Sequence, residues 1–129
     1  MTELVLDGRR ISCFADFVTE FNRAFGEIHG GLKWSGQDFH ELDNFLEHAA
    51  PVTLRWTHSD ESRKRLGYRA MTEWWKASLG RSMKNFPNHE FMHEWCNRGI
   101  DESESSQGRT LFEYICWQIE QPCCKILLE

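Results

Sequence analysis

The stretch His89-Glu90-Phe91-Met92-His93 comes nearest to a reaction centre by residue type and spacing. On a helix, side chains four apart share a face, so two imidazoles there would hold Zn²⁺ while the Glu between them activates a water. The residues that follow, Glu94-Trp95-Cys96-Asn97-Arg98-Gly99, lack the Gly and third His of the extended metalloprotease form. Cys96 and the distant Glu113 are the further ligands a structural zinc ion would need. The plainer interpretation is a surface helix with Phe91, Met92 and Trp95 turned inward and the histidines half exposed. It predicts no metal at His89 and His93, no cofactor and no hydrolytic activity.

The other reactive residue types are also better explained without catalysis. The five cysteines, Cys13, Cys96, Cys116, Cys123 and Cys124, are odd in number, a poor disulfide framework and the pattern of reduced thiols in a cytosol. Cys123 and Cys124 would point to opposite faces of a strand, which suits burial better than one metal. Trp74-Trp75 is a candidate hot spot for a partner, since Trp is enriched at such places, but core packing is the commoner use. The chain has no G-x-S-x-G, no phosphate-cradling glycine loop and no C-x-x-C.

Charge narrows the partner. Against 15 basic residues stand 20 acidic ones, for a net charge of −5, and no basic run exceeds Arg63-Lys64-Arg65. A protein that grips nucleic acid through its phosphates shows the opposite sign, whereas an acidic chain suits a basic protein partner. Met1 to Asp7 lacks the basic start and apolar core of a signal peptide. No stretch approaches the roughly 18 apolar residues of a membrane span, so a cytoplasmic protein is expected.

The 129 residues are one domain's worth. Leu4-Val5-Leu6 reads as a strand closed by Asp7-Gly8. Phe14, Phe17, Val18, Phe21 and Phe25 recur at helical spacing and predict an amphipathic helix ending at Gly26. From Gln37, Phe39, Leu42 and Leu46 define a second helix whose other side carries Asp38, His40, Glu41, Asp43, Asn44, Glu47 and His48. Pro51 ends it, and Val52 to Trp56 reads as a central strand. Ser59 to Leu66 is a short polar helix. Ala70 to Leu79 predicts a helix ending at Gly80, and Pro87-Asn88 opens another that ends near Gly99. Asp101 to Gly108 reads as a solvated loop. Thr110 opens a last helix, Pro122 ends it, and Cys123 to Leu128 is the final strand. Strands separated by helices imply right-handed crossovers and a parallel sheet.

Three stretches carry a family likeness. They are Leu4-Val5-Leu6-Asp7-Gly8-Arg9-Arg10-Ile11 before its amphipathic helix, Trp34-Ser35-Gly36-Gln37-Asp38-Phe39-His40-Glu41-Leu42-Asp43-Asn44-Phe45-Leu46, and Val52-Thr53-Leu54-Arg55-Trp56. With the helix and strand from Leu111 to Leu128 they resemble the barstar family of intracellular ribonuclease inhibitors over about two-thirds of the chain. Residues 68–108 find no counterpart and read as a helical insertion within a single 1–129 domain. The resemblance implies a two-layer α/β fold, with a three-stranded parallel sheet packed against helices. It also implies a stoichiometric inhibitor or immunity protein whose carboxylates take the place of RNA phosphates in a nuclease cleft. The partner would be a cognate toxin, a basic nuclease of the kind delivered between competing bacteria. Carried over residue by residue, Trp34 and the Gly36 loop would supply the contact aromatic. The family's contacting carboxylates fall on His40 and Asn44, so Asp43 and Glu47 would supply the charge, and Glu120 would be a second acidic contact. The competing functions are a binding module for a partner that is not a nuclease, and a small zinc hydrolase built on His89 and His93.

Overall fold

The computed structural model describes residues 2–30, 33–120 and 124–129. Three strands, β1 (Thr2–Asp7), β2 (Val52–Thr57) and β3 (Cys124–Leu128), pair in the order β1-β2-β3. Both pairings are parallel, with Leu4 beside Leu54 and Leu54 beside Ile126. Parallel neighbours need crossover connections, and here helices supply them. The expected sheet is therefore present. Its strands alternate: Leu4, Leu6, Val52, Leu54, Trp56 and Cys124 are buried, while Glu3, Val5, Lys125 and Leu127 are exposed. A parallel sheet covered on both faces reads as continuous apolar runs, so the alternation marks a two-layer α/β domain with one open sheet face.

The core lies between the sheet and the helices α1 (Phe14–His29), α2 (Phe39–Ala49), α3 (Ser59–Arg65) and α6 (Leu111–Ile119). α1 sends Phe17, Phe21 and Phe25 inward, and Phe17 stacks on Trp56 with ring centroids 5.5 Å apart. The Trp56 indole N–H donates to Ser62 Oγ at 2.9 Å, and Ser62 donates to the Gly8 carbonyl at 2.9 Å. No heavier residue fits at position 8, because a Cβ there would collide with the His58 and Thr57 carbonyls. α1 runs past Gly26 to His29 and is capped at Gly30. A single helical glycine costs only about 1 kcal/mol, less than the packing of Phe25 on Phe45 and His29 secures.

Residues 68–104 form a helical hairpin, α4 (Tyr68–Asn85) and α5 (Glu90–Glu104). Both helices outrun their expected ends. α4 passes the exposed Gly80 and continues for another turn. α5 passes Gly99 and takes in residues 101–104 of the expected loop. Packing against α4 explains this. Gly99 leaves room for the Trp75 ring, Ser103 Oγ donates toward the Gly99 and Ile100 carbonyls, and the Thr72 hydroxyl lies 2.7 Å from Ser103 Oγ. The stripe that meets α4 is thus Cys96, Gly99, Ile100 and Ser103, all buried. Phe91, Met92 and Trp95, expected inward, are exposed instead. Thr110 and Glu113 form a reciprocal capping box at the start of α6. Pro122 and Cys123 lie outside the described residues.

One carboxylate is buried in this frame. Glu20, 3% exposed, accepts the Asp7 N–H at 2.7 Å and both prongs of the Arg23 guanidinium at 2.8 Å. Burial alone would raise its pKa, but the Arg23 and Asp7 hydrogen bonds and the charges of Arg23 and Arg10 outweigh it, and the net shift is downward. Arg23 is 35% exposed, so water screens the pair. Glu20→Gln is expected to cost about 2 kcal/mol in urea unfolding at neutral pH, the scale of hydrogen bonds to a charged group. A carboxylate with a lowered folded pKa stabilises above its unfolded value and loses that contribution as pH falls through the folded one. The gap between wild type and variant should therefore shrink as pH drops below 4.5, the ordinary glutamate value.

Candidate partner-binding face and the adjoining groove

α2 is placed by its own apolar stripe and by the loop before it. Phe39, Leu42 and Leu46 are buried as their spacing predicts. Asp38 caps the helix, its carboxylate accepting the Glu41 N–H at 2.8 Å. Trp34 is 2% exposed and packs edge-on against Phe14, Phe17 and Phe21. Its indole N–H donates to the Asp38 carbonyl at 2.9 Å, and its backbone is clamped at both ends by the Asn22 side chain. The expectation that Trp34 presents apolar area to a partner is therefore corrected: the indole belongs to the core. Gly36 has φ +81°, and a Cβ there would meet Val18 Cγ2 at 2.8 Å. Ser35 Oγ donates to Glu41 at 2.8 Å. The Trp34–Gly36 loop orients α2, with Ser35 exposed and Gly36 half-buried.

The polar side of α2 faces outward. His40, Asn44 and Glu47 are exposed and Asp43 is half-buried. His40 and Asp43 form one wall of a groove of about 560 Å³ that runs between α2, the α4–α5 hairpin and α6. Trp74, Trp75 and Tyr114 line it, packed on one another with centroids 4.9 to 6.0 Å apart. The two tryptophans join the hairpin to the body, because Trp74 also meets Phe14 and Phe39. Phe86, Met92 and Trp95 close the far side. Asn44, Glu47 and Glu120 do not line the groove, and Glu120 is exposed at the C-terminal end of α6.

The His89–His93 motif is not displayed along one helix face. His89 is the N-cap of α5, outside the helical conformation, and its Nδ1 accepts the Met92 N–H at 3.2 Å. His93 Nε2 is shut away from solvent. Glu113 is engaged in its capping box, which holds its carboxyl below the usual range. Burial raises the Cys96 thiol above its ordinary value. Among the described residues, no three His, Cys, Asp or Glu side chains come together in a way that would hold a metal ion. Cys13, Cys96, Cys116 and Cys124 are free thiols, and burial pushes Cys116 up to about 12. Cys123 lies outside the described residues.

Sequence reasoning missed the exposed aromatic end of the hairpin. Phe91 is 71% exposed, Phe86 56% and Trp95 54%, and the Phe91 and Trp95 ring centroids lie 6.4 Å apart. A signal was present. Cys96, Ile100 and Ser103 repeat at helical spacing, and Phe91 and Trp95 lie off that stripe. No helix among the described residues is long and apolar enough to cross a membrane. Comparison of the chain with family models, curated proteins and solved structures finds no match in any of the three.

Three outcomes follow from this geometry. Trp34→Ala should destabilise the fold by about 3–5 kcal/mol, the range for emptying an aromatic core site, measured by urea or thermal unfolding. Asp43→Ala, at a half-buried polar position, should stay within about 1 kcal/mol of wild type. A thiol with a pKa of about 12 is almost wholly protonated at pH 8. Cys116 should therefore resist iodoacetamide in the native protein at that pH and react once guanidinium unfolds it, as read by peptide mass spectrometry.

Proposed function

We propose that the protein is a stoichiometric inhibitor of a basic partner, acting in the cytoplasm as a barstar-like immunity protein against a nuclease toxin. The observation that carries this is the outward face of α2. Asp43, Asn44 and Glu47, with His40, project from a helix that Trp34, Gly36 and the Asp38 cap hold in one orientation. A nuclease cleft must be cationic to hold a polyanion, so an acidic helix of fixed orientation both steers toward it and pairs with its Arg and Lys side chains. Asn44 hydrogen-bonds without charge assistance, which leaves Asp43 and Glu47 as the anionic contacts. An inhibitor needs a complementary surface rather than a reactive group.

The test is capture from cells that make the protein, with wild type and an Asp43→Ala/Glu47→Ala variant as parallel baits. The expected result is a basic nuclease retained at one-to-one stoichiometry and inhibited by the wild type. Asp43→Ala should weaken it about tenfold, on the order of 1.4 kcal/mol, with more lost in the double variant and with unchanged thermal unfolding. Glu3→Ala, on the open sheet face, should bind as wild type does. A partner without nuclease activity, or one that holds both baits equally, overturns the proposal.

A further inference from the structure

We propose that the exposed aromatic end of the α4–α5 hairpin is a self-association surface. Its occupant is a second copy of this chain, related by a two-fold axis that runs the two α5 helices antiparallel. The inference stands apart from the proposed inhibitory face, since none of the residues it uses lies on α2.

Area, shape and charge each point to that occupant. Phe86, Phe91, Met92 and Trp95 are 56, 71, 36 and 54% exposed. They are contiguous, because each lines a cleft together with others of the four. Together they leave on the order of 400 Å² of apolar surface in water. A standard interface covers about 800 Å² of each partner, a little over half of it apolar, so the patch with a polar rim is of dimer size. The same surface both projects and receives. Phe91 projects, and it also lines a cleft of about 570 Å³ with Phe86 and another of about 460 Å³ with Met92 and Trp95. An isologous contact requires knob and hole on one patch, since each copy presents the same surface to the other.

Charge decides between a second copy and a different protein. Glu90, Glu94 and Arg98 on α5, and Lys84 in the last turn of α4, lie within three residues of an exposed ring. All four are exposed, and none forms an ion pair among the described residues. A partner of either sign would match two of these charges and repel the other two. A second copy carries the complement of all four. The order along α5 also sets the direction. Glu90 and Glu94 open the helix and Arg98 follows them. Parallel helices would set acid against acid, whereas antiparallel ones set each acidic half toward the other copy's Arg98.

The experiment is analytical sedimentation of the full chain between about 1 μM and about 1 mM. The weight-average mass should rise with concentration toward that of two chains. Phe91→Ser and Trp95→Ser, both at exposed positions, should each weaken the dimer about tenfold or more. Arg98→Glu alone, and Glu90→Lys/Glu94→Lys alone, should each weaken it about tenfold, because like charges then meet across the axis. An equimolar mixture of those two charge variants should recover the wild-type mass, since every acidic half again faces a basic one. These charge changes lie on the surface, so the mixture tests the contact even where a ring variant fails to fold. A chain that stays monomeric throughout, a dimer indifferent to both ring variants, or a mixture no heavier than its separate components overturns the proposal. A monomeric chain that retains a different protein, and loses it on Trp95→Ser, would mean that another partner covers the patch, which also overturns it.

Discussion

Trp34 is held from three directions: its ring lies among Phe14, Phe17 and Phe21, its backbone is clasped by Asn22, and its indole N–H reaches the Asp38 carbonyl. The last bond matters most for the placement of α2. It ties the core to the residue that caps α2, so the position of the first helical turn is set from inside the molecule. Gly36 permits this path because its backbone is left-handed and its Cα sits against Val18. With the start of α2 fixed, the stripe of Phe39, Leu42 and Leu46 leaves one rotation available, and His40, Asp43, Asn44 and Glu47 turn outward as a consequence. In the proposed inhibitor the aromatic at position 34 would act by preorganising a neighbouring face, which limits the entropy lost on association.

The hairpin depends on a second fit of the same kind. Trp75 occupies space that any side chain at position 99 would need, and Trp74 reaches across to Phe14 and Phe39. The two adjacent indoles therefore divide the work, one joining α4 to α5 and the other joining the hairpin to the body. Their packing is edge-on at 4.9 Å, a preferred aromatic geometry. Because the hairpin is anchored at these rings rather than laid flat along α2, a concave space remains between its far end and the α2 wall.

The fold was largely legible because its signals are periodic. Alternation in Val52 to Trp56, three- and four-residue spacing in α1 and α2, and Thr110 ahead of Leu111 each follow from local chemistry that the tertiary structure did not override. The misjudged boundaries share one cause. Gly26, Gly80 and Gly99 read as stops, yet a glycine's helical cost of about 1 kcal/mol is smaller than the packing gained by continuing, and at Gly99 the missing side chain is what permits the packing. The candidate site was legible in part. Spacing placed the polar face of α2 outside, but no local pattern distinguishes a tryptophan that touches a partner from one that buries itself one turn earlier. Phe91 and Trp95 were misjudged for the converse reason: their type suggested the core, while the Cys96–Ile100–Ser103 stripe already met the neighbouring helix.

Two surfaces of this molecule lack a covering layer, and their charges distinguish them. On the open face of the sheet, Arg55 pairs with Glu3 at 3.2 Å and with Glu129 at 2.8 Å, and those bonds hold the Glu129 carboxyl below its ordinary value. The charge of that face is matched within the chain, so it offers little net field to an approaching protein. Around the groove the balance differs. Glu47 on α2 and Glu90 and Glu94 on α5 form no ion pair among the described residues, and neither do Arg81, Lys84 and Arg98 on the hairpin. The outward side of α2, by contrast, carries acidic residues and no Lys or Arg, and charge of one sign concentrates the field where a partner would dock. It raises the encounter rate for a cationic protein and penalises an anionic one. Part of the excess of acid over base in the composition therefore has a location in the fold, the outward side of α2.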